Sequence, residues 1–576
     1  MIKSLKKNNN DGLIKRKVIV VSLILLFVCL IIIKLFYLQI IKHSSTGNYV
    51  NKIVNIKSIQ KPRRGFIFDR NGNLLASSIR KYIVFLDGKM IKNKDIEKVR
   101  NFLKEYNIEI NDNHIEKIKK GKSSYIPIAK GIDETIVLDI QKHLIDGIGF
   151  EQQYIRQYPE GRLASHIIGK TDFEGIGTAG IEGYCNGILS GEEIVYKKYT
   201  IGNKKIFAEE IQDDENINGK DICLTIDRRL QFILEQELKE ALKKTKSSKA
   251  VGIIENPNNG EILAMASVPD FDPNGKIKSN EELKNNAVSL VIEPGSTFKI
   301  VVLSACLEEK KLKPTDKINC ENGKFKVADG YIRDHEKQKI ISVARAIEVS
   351  SNIGSAKMAM VLESKLFYEY IKKFGFNSKS GIDLNGEEKG LLKEVKNWSG
   401  RSLHTISFGQ EISTTPLQII NAFCAIANGG TLLKPKIIKS IDNEDLPEKS
   451  IVRTVISEET ASKVRKILKG VIDNGTGKSA KVDGYSVAGK TGTAQKRDPK
   501  TGKYSTEHYY ASFCGMIPAD KPEIVILVAL DEPSGSYYAA SVVAPVFNKI
   551  AQRALDYLKI PMDEPVVNTK KEKGKK

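Results

Sequence analysis

The longest apolar run of the chain, residues 18–41, lies near its N-terminus and predicts a membrane-spanning helix. A span needs about 20 predominantly apolar residues. Lys34 interrupts the run, but its amine can reach the outer interface, where Tyr37 is also favoured. No small-x-small cleavage site follows, so an uncleaved anchor is favoured over a signal peptide. Residues 1–17 are polar and basic and no second run of this length follows, which predicts a cytoplasmic N-terminus and an extracellular remainder.

Residues 42–225 are predicted to form a first extracellular domain that carries no catalytic pattern. Alternating apolar positions on both sides of an Asn-Gly pair predict a β-hairpin over 63–76. Apolar residues at helical spacing predict a helix over 95–103. A glycine-rich stretch at 175–183 lacks the preceding strand and following helix that a dinucleotide-binding loop requires.

The periodicity of residues 226–560 predicts a second domain of the α+β class. Its predicted helices cover 228–244 and 541–558, and its predicted strands cover 250–254, 261–266, 485–493, 509–515 and 523–530. The first two strands flank an Asn/Pro/Gly turn and form a hairpin. The last three are most simply an antiparallel meander. The basic tail, 561–576, is predicted to be disordered.

The composition is that of a globular protein with a strong positive charge. Of the 576 residues, 91 are Lys or Arg and 70 are Asp or Glu, which gives a net charge of +21. The lysines are scattered, without a basic stripe or interleaved aromatics, so the charge indicates a solvated surface and no nucleic-acid partner. The seven cysteines are odd in number and not closely spaced, which argues against a disulfide framework and a Cys-x-x-Cys zinc knuckle.

Three short motifs in the second predicted domain point to serine chemistry. Ser296–Lys299 (Ser-x-x-Lys) follows a Pro-Gly break and begins an apolar helical run. Ser350–Asn352 (Ser-x-Asn) lies between two helical patterns, and Lys490–Gly492 (Lys-Thr-Gly) lies on a predicted strand. Each motif is weak by itself, but together and in this order they form the active-site set of penicillin-binding proteins and serine β-lactamases.

These residue types can carry out acyl transfer. Residues i and i+3 of a helix share one face, so Ser296 and Lys299 are expected side by side. A serine hydroxyl becomes nucleophilic when a base takes its proton. A lysine held neutral by burial and by a nearby cation, here Lys490, can be that base. Ser350 and Asn352 are expected to pass the proton to the leaving amine and to hydrogen-bond the substrate backbone.

A second group of residues is expected to bind the substrate. The Thr491 and Thr493 hydroxyls, with the motif lysine, can hold a terminal carboxylate, and Ser351 is also expected to contact the substrate. Gly492 has no side chain, so a substrate can lie against this strand as an added one. The backbone N–H groups of Ser296 and Thr493 are expected to form an oxyanion hole, in which one donor typically contributes about 2.7–4 kcal/mol to lowering the barrier.

Beyond the motifs, residues 15–560 resemble a class B penicillin-binding protein, a monofunctional peptidoglycan D,D-transpeptidase. The stretches at 64–76, 156–166 and 177–182 resemble the motifs of that family's N-terminal pedestal. Residues 407–418 resemble the form found in its division and sporulation branch. No glycosyltransferase domain of the class A type precedes the pedestal, and no β-lactam-sensing repeat follows the second domain.

The resemblance implies a penicillin-binding, serine-transpeptidase fold of the α+β class: an antiparallel five-stranded sheet flanked by helices, with an elongated pedestal and one transmembrane helix. The expected organisation is a cytoplasmic tail (1–17), a transmembrane anchor (18–41), a pedestal of the penicillin-binding protein dimerisation type (42–225), a transpeptidase domain (226–560) and a basic tail (561–576).

The resemblance also implies a reaction and its partners. Ser296 would release the last residue of a D-alanyl-D-alanine stem peptide of peptidoglycan, and an amine of a neighbouring stem would resolve the acyl-enzyme. β-Lactams would acylate the same serine, and no cofactor is implied. The implied partners are the membrane, a membrane glycan polymerase and proteins of the division or spore-wall machinery.

Other functions remain open at this level. A serine β-lactamase or a D,D-carboxypeptidase uses the same three motifs, but those enzymes usually lack the pedestal. Class A lactamases have Ser-Asp-Asn where this chain has Ser-Ser-Asn. A β-lactam sensor or an inactive scaffold is a different class, and the intact motifs argue against inactivity. The sequence does not separate division, elongation and spore formation, nor does it identify the acceptor amine or the oligomeric state.

Five residues near the motifs carry possible metal-binding side chains and could converge in the fold as a structural zinc site: Cys320, Asp334, His335, His508 and Cys514. Their spacing matches no zinc pattern. Unconnected buried thiols and surface histidines are the favoured interpretation, and no metal ligand is predicted.

Overall fold

The computed structural model describes residues 5–37, 39, 56–60, 62–192, 194–198, 200–201, 204–205, 217–328, 330–498 and 501–565. The chain forms two compact units, one of Met1–Pro62 with Glu192–Asn218 and the other of Arg63–Gly191 with Gly219–Lys576. The part of the expected disordered tail from residue 566 onward lies outside the described residues.

The first half of the chain alternates short strands and helices. The strands up to residue 224 are β1 (Ile56–Gln60), β2 (Ile67–Phe68), β3 (Leu74–Leu86), β4 (Ile126–Ile132), β5 (Ile148–Gln157), β6 (Lys170–Thr171), β7 (Gly177–Ala179), β8 (Ile194–Lys198), β9 (Thr200–Ile201), β10 (Lys204–Lys205) and β11 (Ile222–Leu224). The helices are α1 (Leu5–Phe36), α2 (Ile96–Lys104), α3 (Asp112–Lys119), α4 (Glu134–Lys142), α5 (Ser165–Ile168), α6 (Gly180–Tyr184) and α7 (Asn186–Leu189).

Apart from α1, the longer helices lie in the remainder of the chain. Its strands are β12 (Lys249–Asn256), β13 (Glu261–Val268), β14 (Lys317–Asn319), β15 (Lys324–Val327), β16 (Gly330–Arg333), β17 (Ile340–Ser342), β18 (Thr431–Leu433), β19 (Ile438–Ile441), β20 (Glu444–Asp445), β21 (Ile451–Thr454), β22 (Ala488–Arg497), β23 (Tyr504–Ile517) and β24 (Ile524–Asp531). Its helices are α8 (Arg228–Thr245), α9 (Asn286–Ser289), α10 (Lys299–Glu308), α11 (Val343–Glu348), α12 (Asn352–Lys373), α13 (Ser402–Ile406), α14 (Pro416–Ala427), α15 (Glu458–Asp473), α16 (Ala539–Val542) and α17 (Ala544–Leu558).

The first unit contains the predicted apolar helix. Within α1, the segment Ile14–Phe36 is long and apolar enough to cross a membrane, and no other described helix meets both conditions. This segment begins four residues before the predicted anchor, and residues 38, 40 and 41 lie outside the described residues. In the same unit, β1 pairs with β8 and β9 pairs with β10, both antiparallel.

A seven-stranded sheet combines residues from both predicted domains. Its order is β20-β19-β11-β2-β3-β4, and the seventh strand, β5, pairs antiparallel with β3 along Ser77–Leu86. The predicted hairpin is confirmed, because β2 and β3 pair antiparallel with Ile67 opposite Ala76. Strand β11 pairs with β2 on one side and with β19 on the other. The predicted division at residue 225 therefore separates two stretches of chain that share one sheet.

A buried ion cluster joins the three stretches that resemble pedestal motifs. The Glu182 side chain is fully buried, and its two carboxylate oxygens accept from Arg64 Nε at 2.6 Å and Arg156 Nε at 2.5 Å. Arg64 also donates to the Glu182 carbonyl at 2.8 Å, and Arg156 donates to the Gly65 carbonyl at 2.7 Å. A buried carboxylate needs such compensation, so the cluster explains why charged residues occur at these three places.

The second sheet is the expected antiparallel five-stranded sheet. Its order is β13-β12-β24-β23-β22, and every neighbouring pair is antiparallel. Successive side chains of a strand face opposite sides of the sheet. Val251 and Ile253 accordingly belong to the hydrophobic core that also contains residues of α10, α12 and α14, whereas Ala250 and Ile254 belong to the core that contains residues of α8 and α17. The expected fold class is confirmed. The single helix predicted over 541–558 is two helices, α16 and α17, which meet at Val543.

Candidate active site

The Ser-x-x-Lys motif lies at the start of a buried helix. Gly295–Phe298 form one turn of 3₁₀ helix, which continues directly into α10 at Lys299. Gly295 has a positive φ of 57°, and a Cβ atom there would lie 3.2 Å from the carbonyl oxygen of Thr493. The turn that carries Ser296 therefore packs directly against the Lys-Thr-Gly strand β22, as the three-motif interpretation requires.

Lys299 is fully buried and is held by the Ser-x-Asn loop. Its amine donates to the Ser350 carbonyl at 2.6 Å, to Asn352 Oδ1 at 2.8 Å and to Ser350 Oγ at 3.2 Å. Burial lowers the pKa of Lys299 well below its usual value, and the nearby Lys490 lowers it further, while Asp334 opposes the shift. Ser296 is partly exposed and is not among the acceptors of this amine.

Lys490 reaches the same loop from β22. Its buried amine donates to Ser350 Oγ at 2.9 Å, so this hydroxyl oxygen accepts a hydrogen bond from each of the two lysine amines. Burial lowers the pKa of Lys490 to about 7. A hydroxyl oxygen has two lone pairs and can accept both N–H groups, which leaves its own proton free to be donated. Four of the five predicted catalytic side chains thus form one network, and Ser296 lies at its edge.

The predicted role of Ser351 in substrate binding is not supported by the structure. The Ser351 side chain is buried, and its Oγ accepts the Gly354 N–H at 2.8 Å as the N-cap of α12. The same hydroxyl donates to Asp334 Oδ2 at 2.6 Å. Both interactions are internal to the protein, so Ser351 stabilises the helix start. The preceding Ser350 has a positive φ of 59°, and its hydroxyl faces Lys299 and Lys490.

The Lys-Thr-Gly strand presents an edge toward the site. Strand β22 is the last strand in the order of the sheet, and the outer edge of such a strand can pair with an extended peptide. Thr493 Oγ1 accepts the Ala539 N–H at 3.2 Å, so its own proton remains free to be donated. The hydroxyl oxygens of Thr491 and Thr476 lie 3.0 Å apart.

Gly492 is needed for a different reason from the one expected. A Cβ atom at this position would lie 2.6 Å from Ser512 Oγ, 2.9 Å from Thr297 Cγ2 and 3.0 Å from the Pro294 carbonyl oxygen. The missing side chain therefore makes room for the nucleophile turn rather than for a substrate. A side chain here would separate Ser296 from β22.

The structure does not bring together the five residues considered as zinc ligands. Cys514 lies in the buried core beside β24, whereas His508 is exposed on the same strand, β23. Asp334 is occupied by hydrogen bonds to the Ser-x-Asn loop. Within the described residues, no three His, Cys, Asp or Glu side chains form a group that could hold a metal ion.

Sequence reasoning missed three residues that position the site. Gly409 lies against Gly295, whose N–H donates to the Gly409 carbonyl at 3.1 Å. Glu293 Oε1 accepts from the Tyr504 hydroxyl at 3.1 Å, and burial raises the pKa of this glutamate. Asp334 contacts the Ser-x-Asn loop directly. Gly409 lies within the stretch 407–418 and Glu293 directly precedes the Pro-Gly break, but no local pattern in the sequence indicates which residues they contact.

Two features define the class of penicillin-binding serine acyltransferases. One is the antiparallel sheet with helices on both faces, and the other is the Ser-x-x-Lys turn beside a buried Lys–Ser–Lys network. Two family models match the chain: the penicillin binding protein transpeptidase domain over residues 250–552 and the penicillin-binding protein dimerisation domain over residues 59–224. The chain belongs to the penicillin-binding protein transpeptidase family, and the resemblance inferred from its sequence is confirmed.

Individual relatives agree with this assignment. The chain is 35% identical over 518 residues to stage V sporulation protein D of Bacillus subtilis (strain 168), which covers 86% of this chain and 79% of that protein. It is 30% identical over 562 residues to the probable peptidoglycan D,D-transpeptidase PenA of Neisseria gonorrhoeae, and the match covers 95% of this chain and 93% of that protein. The crystal structure of penicillin-binding protein 3 from Mycobacterium tuberculosis in complex with aztreonam matches with a TM-score of 0.68 and 27% identity, covering 88% of this chain and 99% of that chain.

Proposed function

We propose that this chain is a peptidoglycan D,D-transpeptidase that forms an acyl-enzyme at Ser296 and acts in septal or spore cell-wall synthesis. The observation that carries this proposal is the buried network in which Lys299 and Lys490 both donate to Ser350 Oγ beside the Ser296 turn. Relatives named as a stage V sporulation protein and as a probable peptidoglycan D,D-transpeptidase support the reaction and the biological setting.

The proposed reaction begins with attack on the peptide bond between the last two D-alanines of a stem peptide. Neutral Lys299 takes the proton of the Ser296 hydroxyl as its oxygen bonds to the carbonyl carbon. The backbone N–H groups of Ser296 and Thr493 stabilise the oxyanion. The C–N bond then breaks, and the leaving D-alanine amine receives a proton through the Ser350 hydroxyl, which Lys299 reprotonates. An amine of a second stem then attacks the ester carbonyl and forms the new amide bond. The ester C–O bond breaks, and the proton lost by the amine passes through Lys299 to the Ser296 oxygen, which restores the hydroxyl.

The substrate is proposed to lie along the outer edge of β22. Its terminal carboxylate is held by the Lys490 amine and the free Thr493 proton, and Thr491 contributes its hydroxyl. Placing an anion beside Lys490 favours the charged form of this lysine, whose pKa burial lowers to about 7 in the free protein. Asn352 completes the site by donating or accepting at the substrate backbone.

β-Lactams are proposed to acylate the same serine. The strained β-lactam amide takes the place of the scissile peptide bond, and its carboxylate takes the place of the terminal D-alanine carboxylate. The related penicillin-binding protein 3 from Mycobacterium tuberculosis is known in complex with aztreonam, a β-lactam. The acyl group would stay on Ser296 because the leaving amine remains tethered to it.

The orientation in the membrane and the protein partners belong to the same proposal. The basic residues that precede the apolar run of α1, up to Lys17, favour a cytoplasmic N-terminus, because cytoplasmic flanks carry an excess of Lys and Arg. Residues after α1, including the catalytic domain, would then face the cell wall. A membrane glycan polymerase and division or spore-wall proteins are the proposed partners, since cross-linking requires freshly made glycan strands.

The first test is the intact mass of the detergent-solubilised chain after incubation with benzylpenicillin. We expect one covalent adduct in the wild-type chain and none in Ser296→Ala. Ser304→Ala is the matched control, because Ser304 is a buried serine on α10 whose hydroxyl has no hydrogen-bond partner among the described residues. An adduct that persists in Ser296→Ala, or no adduct on folded wild-type protein, contradicts the proposal.

A second assay separates the transpeptidase from the alternative enzymes. A synthetic stem peptide ending in D-Ala-D-Ala is incubated with the chain in the presence and absence of an added amine acceptor. We expect an amide product that joins peptide and acceptor, together with released D-alanine. Hydrolysis without any amide product would identify a carboxypeptidase, and rapid turnover of the penicillin adduct would identify a β-lactamase.

A further inference from the structure

Asp334 directly follows β16, the second strand of a hairpin that lies in the chain between α10 and α11. Neither the Ser-x-x-Lys nor the Ser-x-Asn motif contains it, and the proposed reaction does not use it. Its carboxylate nevertheless makes three hydrogen bonds to the Ser-x-Asn loop. Oδ1 accepts the N–H groups of Asn352 at 2.6 Å and Ile353 at 3.0 Å, and Oδ2 accepts the Ser351 hydroxyl at 2.6 Å.

These bonds complete the N-terminus of α12, a helix of 22 residues. The first N–H groups of a helix have no partner within the helix, and a carboxylate there is favoured by both hydrogen bonding and the helix dipole. Asp334 binds the first two N–H groups, and the Ser351 hydroxyl binds the third, that of Gly354. The backbone of the Ser-x-Asn loop is therefore fixed from outside its own sequence.

The same segment also sets the direction of the Asn352 side chain. Asn352 Nδ2 donates to the Arg333 carbonyl at 3.1 Å, and this leaves Oδ1 facing Lys299 at 2.8 Å. An amide that donates at one end and accepts at the other has one orientation that satisfies both contacts. Arg333 and Asp334 together hold Asn352 against the proposed base.

The charge of Asp334 matters as well as its hydrogen bonds. Lys490 from β22 and the N-terminus of α12 both place positive charge near Lys299. Asp334 is the acidic side chain whose charge acts on Lys299, and it opposes the pKa decrease caused by burial and by Lys490. Removing the negative charge would lower the pKa of Lys299 further.

We propose that Asp334 is a positioning residue of the acylation step, which holds the Ser350–Asn352 loop against Lys299 and supplies a negative charge that acts on the buried Lys299 amine. This inference rests on the proposed function, because it assigns Asp334 a task in the acylation of Ser296. Asp334 does not touch the reacting atoms, and it acts through Asn352 and Lys299.

The test is the pH dependence of the second-order rate constant for acylation of the detergent-solubilised full chain by a fluorescent penicillin. Asp334→Asn is nearly isosteric and retains an acceptor for the two N–H groups, so it isolates the charge. For Asp334→Asn we expect the acid limb of the pH–rate profile of acylation to move to lower pH, by on the order of one pH unit. Asp334→Ala removes the hydrogen bonds too, and its plateau rate should fall on the order of 100-fold.

Glu321→Gln is the matched control. Glu321 lies between α10 and α11 as Asp334 does, and pairs with Lys357 at 2.6 Å, so the substitution removes one nearby negative charge without touching the Ser-x-Asn loop. We expect Glu321→Gln to be acylated at the wild-type rate and the acid limb of its pH–rate profile to stay at the wild-type position. An unshifted acid limb in Asp334→Asn overturns the electrostatic part of the proposal, and a wild-type plateau in Asp334→Ala overturns the positioning part. A wild-type chain that penicillin does not acylate would instead refute the proposed function.

Discussion

The amines of Lys299 and Lys490 share one acceptor, the hydroxyl oxygen of Ser350, at N–O distances of 3.2 and 2.9 Å. Both side chains are fully buried. Two ammonium groups this close repel each other and are poorly solvated, so the free site favours a state in which at least one amine is neutral. The pKa of Lys299 and that of Lys490 are both lowered, to about 7 for Lys490. Burial of both amines, and for Lys299 also the proximity of Lys490, thus makes a lysine available as a base at neutral pH.

Replacing Lys299 by Arg should abolish the base while keeping a positive charge. A guanidinium group stays protonated at any relevant pH. We expect penicillin acylation of Lys299→Arg to fall about 10²- to 10⁴-fold, the usual contribution of a general base. Stopped-flow fluorescence with a labelled penicillin measures this rate. Lys357→Arg, at a partly exposed ion pair on α12, should acylate at the wild-type rate; equal losses in both variants would argue against a specific role.

The burial of Lys490 should make stability depend on pH. Its pKa is about 7 in the folded chain and about 10.4 when unfolded. Between these values the unfolded chain binds more protons, so the free energy of unfolding should increase as pH rises from about 7 to about 10.4. Below about pH 7 the cost of burying the charge is fully present.

Lys490→Met removes that cost. We expect this variant to exceed the wild type by a few kcal/mol in free energy of unfolding near pH 7, and the difference should shrink toward pH 10. Urea unfolding of both chains at pH 7.0, 8.5 and 10.0 measures it. Lys299 contributes to the slope in both chains, and its pKa is less depressed in Lys490→Met, which adds to the difference in slope between the two chains. A difference that does not vary with pH would contradict the prediction.

Gly492→Ala should impair acylation through the position of the nucleophile turn. The added Cβ atom would lie 3.0 Å from the Pro294 carbonyl and 2.9 Å from Thr297 Cγ2, so the turn must move away from β22. A shift of about 1 Å at a reacting group can reduce a rate on the order of 100-fold. Gly187→Ala is the control, because its Cβ meets no atom within 4 Å and it lies in the short helix α7. Similar penicillin acylation rates in the two variants would refute this explanation.

Glu182→Gln should destabilise the N-terminal part of the second unit. Its carboxylate is fully buried between Arg64 and Arg156, which would be left without their counter-charge. Breaking a buried ion pair by removing one partner costs about 3–5 kcal/mol. Thermal unfolding followed by circular dichroism should show a clear decrease in Tm. Glu116→Gln breaks an exposed pair with Lys120 and should leave the Tm close to that of the wild type; a comparable decrease there would argue that the burial of Glu182 is unimportant.

Local signals in the sequence were sufficient for much of the fold. The apolar run predicts the long helix with its segment Ile14–Phe36, and the Asn-Gly turn predicts the hairpin of β2 and β3. The late strands form the expected meander, β22-β23-β24. These features depend on period, length and turn chemistry, which are properties of neighbouring residues. The family could be recognised for a related reason, because its three motifs are short runs of neighbouring residues in a fixed order.

Contacts between distant segments were not predictable in the same way. The sequence does not indicate that β12 pairs with β24, or that β19 joins β11 in the seven-stranded sheet. It also does not reveal that the helix predicted over 541–558 breaks at Val543. Such pairings depend on which apolar faces cover each other when the whole chain folds, and no short window of sequence contains that information.

The sequence by itself determined the chemical groups of the site: the Ser296 hydroxyl, the two lysines and the Ser-x-Asn loop. The tertiary structure decided how those groups are used. Burial depends on all surrounding segments, so only the fold lowers the pKa of Lys490 to about 7. The packing likewise places the Ser351 hydroxyl at the helix cap and the Asp334 carboxylate against the Ser-x-Asn loop. At Gly492 the nucleophile turn occupies the space that a side chain would need. Residue identity specifies the chemistry available, and packing fixes the environment in which it operates.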